Sequence, residues 1–450
     1  MNTKIAVIGG GSYTWAFGFS RQFVMSEHLR GATLTLTDIN ASALELVSAA
    51  AQRFNAAHDS PLRIETTANL EVALNGADYV IVSISTGGFD AMRHDLAIPE
   101  RYGILHTVGD TVGPGGWLRA VRNIPVFYDL SERMSRLCPQ AWMLNVTNPL
   151  TPLTRVPQRD FGIKAVGLCS GVEHSVRALA RLAGAAPDSR MDYTVTGIDH
   201  GSWYTRLFAD GMDVLSRLRE FGYCRSDDRL PSQLSTDDPL AESAGLRAGF
   251  AIWRELGYLP SIADRHTTEN WPWFLAGQTG ELPFGITRTT IEERIVWQAD
   301  KRESLERYAA GDDDALGQQG HGDDPVVTVV EALSGSRSFL YGSNYANVGQ
   351  IPGLPEGAVV ETRCLFDAAG VHPVCSPMPD LLKILVLPHV LRQEAIIDIA
   401  LRGSRDELVA LVLTDPLCSH LRVGECRAMV EEMLAATRSW ISNARLLEGT

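Results

Sequence analysis

The chain opens on Lys4-Ile-Ala-Val-Ile-Gly-Gly-Gly-Ser-Tyr13, an apolar run that stops in three consecutive glycines. Ile5 to Ile8 is the kind of unbroken apolar segment that a strand buried on both faces needs. Gly9, Gly10 and Gly11 carry no Cβ, so the backbone there can turn tightly and bring its N–H groups against a phosphate. Ser12 and Tyr13 then lead into a helix whose N-terminus favours the same charge. Gly9 and Gly11 match the first two positions of the pattern G-x-G-x-x-G, and Thr14 stands at the third. A second apolar run, Thr33 to Thr37, ends in Asp38, at the spacing where an acidic side chain takes the ribose hydroxyls of NAD. Together these features favour a dinucleotide site over an ordinary glycine turn.

From Lys4 to about Asn148 short apolar strands alternate with helical stretches, as a doubly wound parallel sheet requires. Strands are predicted over 4–8, 33–37, 79–84 and 141–145, and helices over 14–27 and 41–55, the second capped by Asn40. Tyr79 to Ser85 empties into Thr86-Gly87-Gly88, a second glycine loop at the carboxyl end of a strand, which adds Ser85 and Gly87 to the cofactor-binding candidates. The stretch with Arg93, Asp95 and Gly109 to Gly116 reads as a long functional loop, too glycine-rich for a helix. Asn145 and Asn148, flanking a proline turn at the same sheet edge, read as contacts to a sugar or nicotinamide in preference to plain turn amides.

Farther on, Ala165 to Ser170 is a strand running into a loop that carries Cys169, with Glu173 and His174 just beyond. Asp199 and His200 fall at a turn beside aromatics, and Asp264-Arg-His266 precedes Trp271-Pro-Trp-Phe274, a wall suited to carbohydrate. Residues 210–246 read as a surface excursion and 311–324 as an acidic linker. Spacing alone leaves Cys169 and His200 as a core thiol and a satisfied hydrogen bonder, and by softness the pair would suit zinc or iron before manganese. No G-x-S-x-G elbow and no Walker lysine occurs. Acid–base candidates are Glu173, His174, Asp199, Asp264 and His266.

At 450 residues two lobes are expected. A formal net charge of −14 argues against nucleic acid or an anionic membrane as the main partner. The N-terminus enters a strand directly, no apolar span is long enough for a bilayer, and seven scattered cysteines without a C-x-x-C pair read as reduced thiols; a cytoplasmic protein is expected.

Gly9-Gly-Gly-Ser12, Asp110-Thr-Val-Gly-Pro-Gly-Gly116, Asn145-Val-Thr-Asn-Pro149, Gly167-Leu-Cys169, Asp199-His200, Asp264-Arg-His266 and Leu354-Pro-Glu-Gly-Ala-Val-Val-Glu361, taken in order over nearly the whole chain, resemble glycoside hydrolase family 4. The resemblance implies a Rossmann-like doubly wound sheet of the lactate/malate dehydrogenase kind over residues 1–165, followed by an α+β domain over 166–450 for metal, substrate and oligomerisation. It implies a mechanism distinct from that of two-carboxylate glycosidases. NAD takes hydride from C3 of the sugar, a divalent cation, usually manganese, polarises the C2 and C3 oxygens, a base removes the C2 proton, and the aglycone leaves by elimination before water and hydride return. By resemblance Cys169 and His200 hold the metal, Asn145 contacts the sugar, and Asp38 with the glycine loops holds NAD.

The chain departs from the family pattern at three places. Ser170 stands where several members put an acidic Asp or His, Asn270 where many have a tyrosine base, and Asp199 where asparagine is common. Asp264 is then the first choice as base and Glu173 or His174 as acid, with Asn148 and His266 as further substrate contacts. The branch resembled acts on α-glucosides and α-uronides, and Arg93, Arg119, Arg122 and Arg288 are available to clamp a carboxylate or phosphate. A 6-phospho-glycosidase of the same family, a 2-hydroxyacid-type dehydrogenase and a catalytically impaired sugar-binding protein are the alternatives. The family habit implies a homodimer or homotetramer.

Overall fold

The computed structural model describes residues 3–59, 62–225, 245–278, 280–316 and 325–448. Most of the expected excursion, 226–244, and the end of the expected linker, 317–324, lie outside the described residues.

Six parallel strands form the first part of the sheet: β1 (Lys4–Ile8), β2 (Thr33–Thr37), β3 (Arg63–Thr66), β4 (Tyr79–Val82), β5 (Trp142–Asn145) and β6 (Lys164–Leu168). Their order, 3-2-1-4-5-6, is that of a dinucleotide-binding sheet. β3 escaped the sequence reading because it is a polar edge strand whose Arg63, Glu65 and Thr66 are exposed, leaving no apolar run to find. Asn40 caps the helix Ala41–Ala57 as expected, its Oδ1 accepting from the Ala43 N–H at 3.1 Å.

The stretch expected as a long loop is largely helical, as Gly88–Arg101 and Gly113–Leu137. Pro114 sits in the first turn of the longer helix, where its missing N–H costs nothing. The glycines serve close packing: a Cβ on Gly115 would lie 2.9 Å from the Asp95 carbonyl oxygen, and one on Gly116 2.5 Å from the Thr111 carbonyl carbon.

A small second sheet comprises β7 (Met191–Thr196), β8 (Trp203–Ala209), β9 (Met212–Asp213) and β10 (Leu259–Pro260), with β8 at its centre. β11 (Phe339–Ala346), β12 (Val359–Asp367) and β13 (Gly370–Pro373) are antiparallel and extend the first sheet beyond β6, with Ser343 facing Leu168, so that sheet has nine strands. The boundary anticipated at 165/166 therefore falls inside β6. One apolar core also joins the two regions, running from Trp117 and Phe127 through Trp203 and Trp271 to Val360 and Val390. Among the described residues no helix is long and apolar enough to cross a membrane.

Candidate functional site

The two glycine loops meet at the carboxyl edge of adjacent strands β1 and β4. Gly9 takes φ +90°, and a Cβ there would sit 1.9 Å from the Ser83 carbonyl oxygen, so only glycine fits. Gly9 and Gly10 donate to the Thr37 carbonyl at 3.0 and 2.8 Å, tying the loop to the end of β2. Gly11 N–H donates to Asp38 Oδ2 at 2.9 Å, while Oδ1 accepts from Asn40 N–H. Ser12 Oγ accepts from Trp15 N–H at the start of the helix Trp15–Met25, and Tyr13 lies half-buried between. Ser85 accepts from Gly88 N–H, and Gly87, at φ +82°, begins the helix Gly88–Arg101. These loops form a cradle of small residues and a helix N-terminus, the geometry that accommodates a pyrophosphate.

Beside it, Cys169 at the end of β6 meets His200 in the turn between β7 and β8, with Sγ 3.6 Å from Nε2. The two atoms are close enough for one cation to reach both. The proton on His200 can be placed by counting donors. The Thr111 hydroxyl donates to Asp110 Oδ1 at 2.9 Å, so at 2.9 Å from His200 Nδ1 it must accept. Nδ1 is thus protonated, and the Nε2 lone pair is turned toward Cys169. Burial lowers the proton affinity of His200, which keeps that lone pair free. Desolvation, with Asp199 and Glu361 opposite, pushes the Cys169 thiol well up, so a cation at Sγ is what would convert it to a thiolate ligand. Cys169, Asp199 and His200 offer ligand atoms within 4.8 Å of one another, and this donor set fits a divalent cation.

Asp110, His200 and His266 converge in the same way. Desolvation would raise Asp110, but His266, His200, Arg119 and Arg294 hold its carboxyl down at about 2. Asn148 Nδ2 reaches Asp110 Oδ2 at 3.4 Å, and its carbonyl accepts from Arg119 Nε at 2.9 Å. The His266 ring lies 4.1 Å from that of His200, tilted by 44°, and among the described residues its Nδ1 has no hydrogen-bond partner. Burial and the His200 ring keep His266 neutral.

Asp110 and Thr111 open the Asp110–Gly116 motif, but the sequence alone assigns neither a role in the site. What holds them is Glu269, 1% exposed, whose Oε1 accepts from the N–H groups of Thr107, Val108 and Gly109 at 2.8–3.0 Å and lies 3.0 Å from His106 Nδ1. His106 Nε2 accepts from Gly115 N–H at 3.1 Å, which puts the ring proton on Nδ1, facing Glu269. Trp271 of the expected carbohydrate wall is buried against Trp203 and Trp273, so it belongs to the core; Trp273 is exposed. Asn270 is also internal: its Nδ2 donates to the carbonyls of His200 at 2.7 Å and His266 at 3.2 Å, fastening the two histidine segments together.

Other expected residues sit elsewhere or are otherwise engaged. Asn145 is buried, donating to Thr154 Oγ1 at 3.1 Å and accepting from Thr147 N–H at 2.8 Å, so it builds the turn and presents no group to a substrate. Asp264 is buried and caps the helix Arg247–Leu256, accepting from the N–H groups of Ala248 at 3.0 Å and Gly249 at 2.9 Å; burial raises its carboxyl to about 6 against those bonds. Arg93 pairs with Glu292, and Arg288 pairs with Glu100 through both terminal nitrogens. Arg122 is locked to Asp95 in a buried bidentate pair. Glu173 and His174 stand on the first turn of the helix Gly171–Leu182 and border a cavity of about 670 Å³ with Ser170, Arg177, Tyr193 and Tyr341. The Tyr193 hydroxyl donates to Glu173.

The model of the family 4 glycosyl hydrolases matches residues 4–184, and that of their C-terminal domain matches 195–418. An alpha-galacturonidase of Thermoanaerobacterium saccharolyticum is 32% identical over 98% of this chain and 97% of its own length. The solved structure of the Bacillus subtilis protein lplD superposes with a TM-score of 0.84 at 30% identity, covering 96% of this chain and 100% of that one. A 6-phospho-alpha-glucosidase from gut microorganisms, solved in complex with NAD and Mn2+, shares the fold with a TM-score of 0.81 at 18% identity, covering 98% and 100% of the two chains. With both models matched in sequence order, this chain is a member of glycosyl hydrolase family 4.

Proposed function

We propose that this glycosidase cleaves α-linked uronides, with a galacturonide as the sugar it is built for, using NAD in the glycine cradle and a divalent cation such as Mn2+ between Cys169 and His200. The observation that carries the choice of a uronide is the cationic wall around Asp110. Arg119 and Arg294 lie close enough to depress its proton affinity, and Arg265 with Arg294 acts on His266 in the same field. Arg119 and Arg294 donate to the carbonyls of Asn148 and Val108, and among the described residues none of the three forms an ion pair with a carboxylate, which leaves room for the carboxylate of a substrate. The galacturonidase relative and the NAD- and Mn2+-bound neighbour support the same reading.

Bound NAD would supply reversible hydride removal at the sugar C3, and the cation Lewis acidity at the neighbouring oxygens. Thr111 would fix the His200 ring and Asn148 would orient Asp110, while Arg119 would hold the carboxylate of the sugar. We assign the C2 proton to His266, a neutral imidazole with an unpartnered Nδ1. We assign protonation of the leaving oxygen to Glu173 or His174, which adjoin Ser170 on the rim of the neighbouring cavity. Asp264 keeps its capping role.

The direct test compares aryl α-galacturonide, α-galactoside, α-glucoside and a 6-phospho-α-glucoside, each with and without NAD and Mn2+ under reducing conditions. The galacturonide should have the highest kcat/KM, with activity that requires both additions and no net NADH. Arg119→Met should lower kcat/KM for the galacturonide about ten- to a hundredfold, the worth of a charge-assisted hydrogen bond, and leave the neutral galactoside little changed. Preference for the phosphorylated or neutral glucoside would refute the uronide reading; net NADH without cleavage would identify a dehydrogenase.

We further propose a homo-oligomer, dimer or tetramer, working in the cytoplasm. Leu381, Ile384 and Leu391 are exposed along one face of the helix Asp380–Arg402, at 45%, 71% and 54%, and a mass above 49.1 kDa in solution would support the assembly.

A further inference from the structure

We propose that Asp199 is a third protein ligand of the cation, completing a thiolate–imidazole–carboxylate set with Cys169 and His200. The proposal rests on the cation reading given above and adds the residue that decides which metals the site accepts. Asp199 is fully buried, and among the described residues neither carboxylate oxygen has a partner in good hydrogen-bonding geometry, although the Asn344 amide and the Cys169 thiol lie near enough to favour its ionised form. Among the described residues no lysine or arginine forms an ion pair with it; His200 Nε2 lies 3.7 Å from Oδ2. Two weak donors and no cationic partner do not offset the cost of withdrawing a carboxylate from water, and a second carboxylate, Glu361, stands close enough to add repulsion. A divalent cation between Asp199 and the other two ligand atoms removes both costs.

The competing cluster of Asp110, His200 and His266 is the weaker candidate. His200 Nδ1 is already bonded to Thr111, which leaves only Nε2, the atom on the Cys169 and Asp199 side. Asp110 is also occupied by Thr111 and Asn148 and lies in the field of Arg119 and Arg294, which repels a cation.

The chemical consequence concerns selectivity. Thiolate and imidazole alone favour softer ions such as zinc, whereas a carboxylate oxygen makes the set more hospitable to Mn2+. Asp199 thus supplies what Cys169 and His200 lack.

The test uses the full-length, reduced, metal-stripped chain, titrated with Mn2+ and followed by the electron paramagnetic resonance signal of the free aquo ion. Wild type should bind one Mn2+ per chain, and Asp199→Asn should bind it at least about tenfold more weakly, with a smaller loss for Zn2+ measured by competition. Equal Mn2+ affinity in wild type and a folded Asp199→Asn protein would overturn the assignment and leave the cation site standing. Failure of wild type to bind Mn2+ would overturn the cation reading and this assignment with it. A measurement on wild type alone guards against misfolding of the variant: with aspartate labelled by ¹³C at its side-chain carboxyl, bound Mn2+ should show a directly coordinated ¹³C-carboxylate coupling. Absence of that coupling would also refute the proposal.

Discussion

Thr111→Val removes a single hydroxyl at nearly constant shape and tests how the metal ligand is held. The buried Thr111 hydroxyl donates to Asp110 and accepts from His200 Nδ1, each at 2.9 Å. Valine leaves the His200 N–H without an acceptor, at a cost of about 1–3 kcal/mol in a buried position. It also frees the ring to adopt the other tautomer, with Nε2 protonated and unable to bind a cation. Loss of such an outer hydrogen bond typically lowers metal affinity about ten- to a hundredfold, which is about 1.4–2.7 kcal/mol. Mn2+ titration of wild type, Thr111→Val and Thr111→Ser gives the readout, with ¹⁵N spectra of the histidine rings reporting the tautomer. Valine should weaken binding by at least tenfold, and serine should restore most of it. Affinity within twofold of wild type in the valine variant, with Nδ1 still protonated, would refute the role assigned to Thr111.

Three further outcomes follow from the same side chains. Burial raises the Glu361 carboxyl from 4.5 to about 7; the folded chain then holds a proton that the unfolded chain releases, so this contribution is full below about pH 4.5 and is lost as pH rises to 7. Thermal unfolding of the metal-free chain should show that decline, and Glu361→Gln should flatten it. Asp95→Ala strands the buried Arg122 guanidinium and should cost about 3–5 kcal/mol by denaturant unfolding, while replacing both partners with apolar residues should cost less. Asp264→Asn keeps one accepting oxygen and loses the other, so it should destabilise the fold by about 1 kcal/mol, seen in denaturant unfolding, yet retain exchange at C2 of the sugar; a folded variant that loses exchange would make Asp264 the base.

The nucleotide-binding half was legible because its signals are local. An apolar run ending in glycine, and Asn40 before a helix, can each be read within ten residues. Cys169 and His200 became legible only through resemblance, since nothing in a thirty-one-residue separation brings β6 and the β7–β8 turn together. The arginines show the limit most clearly. Arg93, Arg119, Arg122 and Arg288 look alike in the sequence, and only their partners, Glu292, Asp95 and Glu100 for three of them, single out Arg119. The glycines from Gly109 to Gly116 misled in the other direction, because close packing and loop flexibility use the same residue. Asn145 misled similarly, as a turn amide and a ligand contact carry the same side chain. Glu269 and Asn270 lay inside a stretch read as a sugar-facing wall, yet they organise the two loops that bear Asp110, His200 and His266.

The most direct measurement is ¹H NMR of the sugar released from an aryl α-galacturonide in D₂O, with NAD and Mn2+ present. Oxidation at C3 followed by proton removal predicts deuterium at C2 of the released galacturonate, with no accumulation of NADH. Release of galacturonate that keeps its C2 proton, at a rate indifferent to NAD, would contradict the elimination mechanism.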